Sequence, residues 1–316
     1  MKIKGPLLSE NAHGSIAKAI TYSKRRTHNH ARKYQPPRKD PSPKQRAQRR
    51  ITEFLVAQWQ NMAANDKASW NTEARNSGLN ITGYQYFLRT AQRNLYTHHG
   101  LLAYWSMNEI VDGKILDLSG RNNHGTLQPD YPTDAPIIKP SGIPRFSNSM
   151  SFNGTSNYID CGDFANVFST QEVTVLFWEK FTETPPATNR YPYSFGVGKQ
   201  RAYHDSGSNL LLFVFQFVNS GQVYASNYWY PKLNQFGCAA ATFDGRYIKL
   251  YRNGELTNTK DLGEQDTLVD YTGDHLWLCR QSTTYLKVVF DEMCIYNRAL
   301  SAEEIKTRYN FARAKV

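Results

Sequence analysis

The sequence predicts a mainly β protein, a two-sheet sandwich of jelly-roll type, preceded by an extended basic arm and a small three-helix module. Three observations carry that expectation. From Leu101 onward, short apolar runs alternate with clusters of Gly, Asn, Asp and Ser, as the strands and turns of an all-β domain do. Aromatic residues make up 13% of the chain, a share that favours β structure. The net charge of +11 is unevenly placed: residues 1–100 hold 18 Lys and Arg against 5 Asp and Glu, and the remainder holds 20 against 22. An anionic partner therefore belongs to the first third of the chain.

Residues 1–44 read as the arm. They offer one short apolar segment, Ile16 to Tyr22, followed by a basic run and four prolines, Pro36, Pro37, Pro41 and Pro43. Ordering such a chain costs about 1–2 kcal/mol per residue, with little apolar burial of its own to offset it. The arm is therefore expected either to remain a solvated, disordered tail or to be ordered by neighbouring subunits or by nucleic acid. Lys24, Arg25, Arg26, Arg32, Lys33, Arg38 and Lys39 are its candidate contacts.

Residues 45–97 read as three helices. Ser42-Pro43 supplies an N-cap and a first-turn proline, and Ile51, Phe54, Leu55, Trp59 and Met62 then share one helical face. A second short helix carries Trp70 and Ala74 and stops at Gly78. Thr82 caps a third, in which Tyr84, Phe87, Leu88, Ala91 and Leu95 recur at helical spacing. The pattern suggests a small HMG-box-like bundle with an aromatic core. Exposed apolar wedges beside the basic arm would make it a DNA-bending module instead.

Residues 98–316 form the β domain, entered through the joint His98-His99-Gly100. Leu101–Met107, Val173–Trp178, Asn209–Val218, Cys238–Phe243, Tyr247–Tyr251, His275–Cys279 and Tyr285–Phe290 read as strands, and Asn253-Gly254 as a hairpin turn. The opening strand near Tyr104 and the closing strand near Ile295 are expected side by side. Tyr191, Tyr193, Tyr203, Tyr228, Trp229 and Tyr230 fall in loop-like segments, where exposed rings would stack on sugar faces. Cys161, Cys238, Cys279 and Cys294 have no CxxC spacing and read as buried thiols.

Catalysis is not expected. Glycoside hydrolysis needs two carboxylates flanking one bond, whereas Asp291 and Glu292 are adjacent and would face opposite sides of a regular strand. No apolar leader or membrane-spanning run is visible, so synthesis in a cytosol is expected.

Two resemblances add to this reading. Asp117, Ser119, Gly120, His124 and Gly125 match the opening D-x-S-G-x-x-x-H-G of the laminin-G-like (concanavalin A-like) jelly-roll family. Residues Asp291–Ile305 match its closing pattern, Met150–Ile159 its S-F-[ND]-G strand, and Thr242–Gly245 with Leu250–Leu256 its hairpin. The match covers about residues 101–310 and implies the fold, which serves many functions. It also implies a structural Ca²⁺ held by Asp117, Asn122 and Asp291, with carbonyls near Asn123 and His124.

Residues 13–90 resemble amino-terminal regions of tailed-phage virion proteins. The matches are Gly14–Lys24, Ala31–Tyr34, Pro41–Gln48, Ala57–Trp59, Trp70-Asn71 with Ala74, and Thr82–Tyr84 with Phe87-Leu88. This resemblance implies a virion structural protein made in a host cytoplasm. The arm and helices would anchor it among capsid or other virion proteins as part of an oligomeric particle. The jelly roll would project as a decoration or adhesion domain, with host-surface glycans as partners. The rival expectations are a lectin-like surface protein and a DNA-architectural protein acting through residues 1–97.

Overall fold

A computed structural model of the chain describes residues 14–16, 20–25, 28–33, 45, 49, 52, 53, 55, 56, 59, 60, 64–76, 78, 80–96, 100–143, 146–163, 171–184, 188–196, 198–206, 208, 210–228 and 232–313. Two compact units divide it, residues 1–46 and 47–316.

The first unit contains a three-stranded antiparallel sheet, β1 (Gly14–Ile16), β2 (Ile20–Arg25) and β3 (His28–Lys33), in the order β1-β2-β3. The segment expected as an arm thus folds back on itself, pairing backbone groups that a lone extended chain leaves to water. Ile20 lies opposite Lys33 and Arg25 opposite His28. Arg26, Arg38 and Lys39 lie outside the described residues.

The second unit begins with helices. Residues 52, 53, 55, 56, 59 and 60 are helical, within the first expected helix; Ile51, Phe54 and Met62 lie outside the described residues. Helices α1 (Ala64–Asn76) and α2 (Gly83–Tyr96) follow. Thr82 and Gln85 form a reciprocal cap on α2, with the Thr82 N–H donating to Gln85 Oε1 at 2.9 Å and the Gln85 N–H to Thr82 Oγ1 at 3.2 Å. Gly83 is needed for close approach, because a Cβ there would lie 2.6 Å from the Asn71 backbone nitrogen. Phe87 is buried between Trp59 and Trp70, at ring distances of 5.5 and 5.3 Å.

The β domain then runs β4 (Leu101–Trp105), β5 (Lys114–Ile115), β6 (Gly125–Gln128), β7 (Ile137–Pro140), β8 (Asn148–Asn153), β9 (Tyr158–Asp163) and β10 (Val173–Lys180). Next come β11 (Arg190–Phe195), β12 (Gln200–His204), β13 (Leu210–Phe217), β14 (Gly221–Tyr228), β15 (Gly237–Phe243), β16 (Tyr247–Arg252) and β17 (Glu255–Asp261). The chain closes with β18 (His275–Leu278), β19 (Arg280–Gln281), β20 (Thr284–Tyr285), β21 (Lys287–Tyr296) and α3 (Ala302–Arg313).

The first sheet has the order β17-β16-β15-β10-β21-β8-β7, with β4 also paired to β21; the second has the order β14-β13-β12-β11-β18-β9-β6-β5. Opening and closing strands pair as expected, Cys294 opposite Tyr104. Tyr285, expected to open the last strand, sits instead in the separate β19–β20 hairpin.

Two apolar layers hold the domain. Phe177, Phe213, Phe243, Phe290 and Ile295 belong to the core between the sheets. The outer face of the first sheet is buried too: Leu176, Trp178, Cys238, Ala240 and Cys294 cluster with Leu55, Phe87, Ile305 and Phe311 from the helices. Trp178 stacks flat on Tyr309 of α3, with ring centroids 5.4 Å apart. This is why Val175–Trp178 reads as an unbroken apolar run rather than an alternating one.

One local detail corrects the sequence reading. Glu292 has a φ of +50°, and the β10–β21 register shifts there. The bulge breaks the alternation assumed for Asp291 and Glu292. Asp291 is opposite Trp178, and the Glu292 carboxylate accepts from the Tyr104 hydroxyl at 2.7 Å. Both carboxylates therefore lie on the helix-covered side, 0% and 5% exposed.

Candidate functional site

The loop after β4 is organised by one carboxylate. Asp117 Oδ1 accepts from the N–H of Tyr104 at 3.0 Å and of Ser119 at 2.8 Å. Its Oδ2 accepts from the Ser119 hydroxyl at 2.7 Å and the Asn123 N–H at 3.0 Å. Asn122 is exposed, with a φ of +64°. Asp291 Oδ2 accepts from the Ser141 hydroxyl at 2.8 Å. The two aspartates thus sit on adjoining segments of one sheet, each engaged by different donors. Among the described residues there is no group of three His, Cys, Asp or Glu side chains; a calcium site also draws on amide and backbone oxygens. A cation at Asp117 would have to displace at least one of its four donors.

The expected sugar-binding rings separate. Tyr191 and Tyr193 lie in β11, Tyr203 in β12 and Tyr228 in β14, so these are strand residues rather than loop residues. Tyr193 is 0% exposed, packs between Phe177, Phe195 and Phe213, and cannot reach a ligand on the surface. Burial pushes its phenol pKa up. Tyr191 and Tyr203 are half-buried and adjacent, 5.8 Å between rings. Burial lifts the Tyr203 phenol, against the pull of Arg201. Trp229 and Tyr230 lie outside the described residues.

Because helices cover the outer face of the first sheet, the outward face of the second is the broad sheet surface left open among the described residues. Alternation fixes its lining: Leu276 and Leu278 enter the core, so Trp277 points away from it, and Ile159 in the core likewise turns out Tyr158 and Asp160. Ladder partners form a row across the sheet: Tyr224, Val214, Arg201, Ser194, Trp277, Asp160 and Thr126. Tyr224 is 47% exposed. His275 Nδ1 lies 2.9 and 3.0 Å from the two Asp160 oxygens.

The densest part of the row is built by the β19–β20 hairpin. Cys279 and Ser282 take φ values of +61° and +51°, which fold the hairpin back. The Ser194 hydroxyl donates to the Arg280 carbonyl at 2.8 Å and ties the hairpin to β11. The Arg280 guanidinium then lies over three rings, 4.2 Å from Tyr158, 4.7 Å from Trp277 and 5.5 Å from Tyr285. Aromatic faces, arginines, a carboxylate and an imidazole thus share one strip, in which His275 and Tyr224 are exposed, Tyr158, Asp160, Trp277, Arg280 and Tyr285 are half-buried, and Ser194 and Val214 are covered. Rings can stack on the apolar face of a ligand while the polar groups orient it. The sequence reading missed Trp277, Arg280, Tyr158 and Tyr285; only the alternation of His275–Leu278 and Tyr158–Asp163 pointed to the first and third.

Comparison with known proteins agrees with this architecture. Residues 153–306 match the family model described as the concanavalin A-like lectin/glucanases superfamily. No curated protein matches the chain. Among solved structures, domain 4 of AbnA, a GH43 extracellular arabinanase from Geobacillus stearothermophilus in complex with arabinotriose, superposes with a TM-score of 0.51 at 17% identity. That match covers 67% of this chain and 98% of that one. The receptor binding domain of botulinum neurotoxin C/D mosaic serotype gives 0.52 at 15% identity, covering 67% and 51%. The botulinum neurotoxin serotype D ligand binding domain in complex with N-acetylneuraminic acid gives 0.51 at 14% identity, also covering 67% and 51%. The chain spans about half the length of these toxin domains.

The β domain therefore has a concanavalin A-like jelly-roll fold. At these identities the structural neighbours speak for the fold alone.

Proposed function

We propose that the chain is a carbohydrate-binding virion protein, with its β domain displaying the open face of the second sheet to glycans and its basic first third anchoring it to the particle. The observation that carries the glycan reading is the half-buried strip of rings around Trp277, on the sheet face that no helix covers among the described residues. Two neighbours of the fold are described in complex with sugars, which supports the same reading. The anchor rests on the charge division along the chain and on the resemblance of residues 13–90 to phage virion proteins.

A glycan array probed with the full chain tests the first half. Retention of a defined set of oligosaccharides is expected. Trp277→Ala should weaken their binding about tenfold or more, since stacking on an aromatic ring is worth roughly 1–3 kcal/mol. An array with no hits, or a variant that binds as well as the parent, would sink the proposal.

A structural calcium ion at the Asp117 loop is proposed on the family resemblance alone, and no part of the glycan reading depends on it.

A further inference from the structure

Arg280 shows which kind of glycan the strip takes. Its Nε donates to the Ser282 carbonyl at 2.6 Å, which fixes the plane of the guanidinium. The rings of Tyr158, Trp277 and Tyr285 surround it. Cation–π contacts orient the group but consume neither its N–H bonds nor its charge. Among the described residues Nη1 and Nη2 have no hydrogen-bond partner and no carboxylate, and neither nitrogen is a buried unsatisfied atom. The acid nearest in the ladder, Asp160, is cross-strand partner to Trp277, and its two oxygens face His275. Arg280 therefore presents two terminal nitrogens from a fixed plane beside aromatic faces. Further along the row Arg201, lying over Tyr203, also has no acidic partner.

We propose that this strip recognises a carboxylated sugar, with the carboxylate accepting a bidentate pair of hydrogen bonds from Arg280 Nη1 and Nη2 and the sugar ring lying against Trp277 or Tyr158. A terminal guanidinium edge with both nitrogens free matches the two oxygens of a carboxylate, and the already fixed plane lowers the cost of ordering it. The inference rests on the glycan-binding reading and narrows it from sugars in general to acidic ones.

The test uses the full chain on an array of matched pairs: oligogalacturonate and its methyl ester, sialyllactose and lactose, and sulfated and unsulfated galactans. Preference for the carboxylated member by about tenfold is expected, falling as salt rises. Arg280→Lys keeps the charge but not the fork and should lose most of the preference for the carboxylated member; circular dichroism of the variant checks its fold. Equal binding within each pair overturns the inference and leaves the glycan reading standing. Preference for sulfated over carboxylated sugars overturns the choice of carboxylate. An array without hits overturns both.

Discussion

At the scale of single residues, the chain uses carboxylates as organisers of backbone. Asp117 collects four donors, and its removal would take this acceptor from the amides of Tyr104 and Ser119. Asp117→Ala should cost about 2–4 kcal/mol, read as a lower midpoint in chemical denaturation. The same measurement with millimolar calcium tests the ion: stabilisation of the parent, lost in Asp117→Ala, is the outcome expected of a calcium site. A parent insensitive to calcium contradicts it. Asp117 was legible because the D-x-S-G spacing is local. Arg280 was not, since its place depends on two positive-φ residues and on strands far apart in sequence. The burial of Tyr193 was missed for a different reason. A register shift between Arg190 and Tyr193 breaks the alternation of β11, so spacing alone does not say that Tyr193 turns inward. All four cysteines are buried and unbridged, as their apolar contexts indicated, and burial pushes the Cys294 thiol up to about 12.

At the scale of elements, one of the two expected helix caps is on view, since Ser42-Pro43 lies outside the described residues. Thr82 caps α2 as expected. Ser301 caps α3, with its N–H donating to Glu304 Oε2 at 2.8 Å and the Glu304 N–H to Ser301 Oγ at 3.2 Å. Glu304 also takes a bidentate pair from Arg298, at 3.0 and 2.7 Å. Burial raises the Glu304 pKa, but the Arg298 and Ser301 donors outweigh it and leave the group below the usual glutamate value. A carboxylate depressed in the folded state stabilises above its unfolded pKa, and that contribution is lost as pH falls through the folded value. Stability should therefore drop on acidification below the ordinary carboxylate range. Glu304→Gln should be less stable than the parent at neutral pH and approach it in acid, as thermal unfolding across pH would show. A constant gap between the two would contradict this. The bulge at Glu292 was not legible, because nothing in Asp291-Glu292-Met293 marks a left-handed residue.

At the scale of the molecule, three layers decide where function sits. Helices pack on the first sheet, the two sheets enclose the aromatic core, and the second sheet keeps its outer face. The sequence predicted the β domain well because its motifs are ordered along the chain. It did not predict that the helical module would join the same compact unit, since that packing is non-local. The basic residues of 1–46 belong to the other unit and carry the proposed anchor. Limited proteolysis should cleave residues 1–46 readily in free protein and slowly in assembled particles; equal cleavage in both would argue against anchoring there.

The most direct test of the whole account is hydroxyl-radical footprinting of the full chain with and without its best-binding array glycan. Protection is predicted at Trp277, Tyr158, Tyr285 and Tyr224, with Tyr309 and the helix-covered face unchanged. Protection confined to the helices, to the first sheet or to residues 14–33 would contradict it.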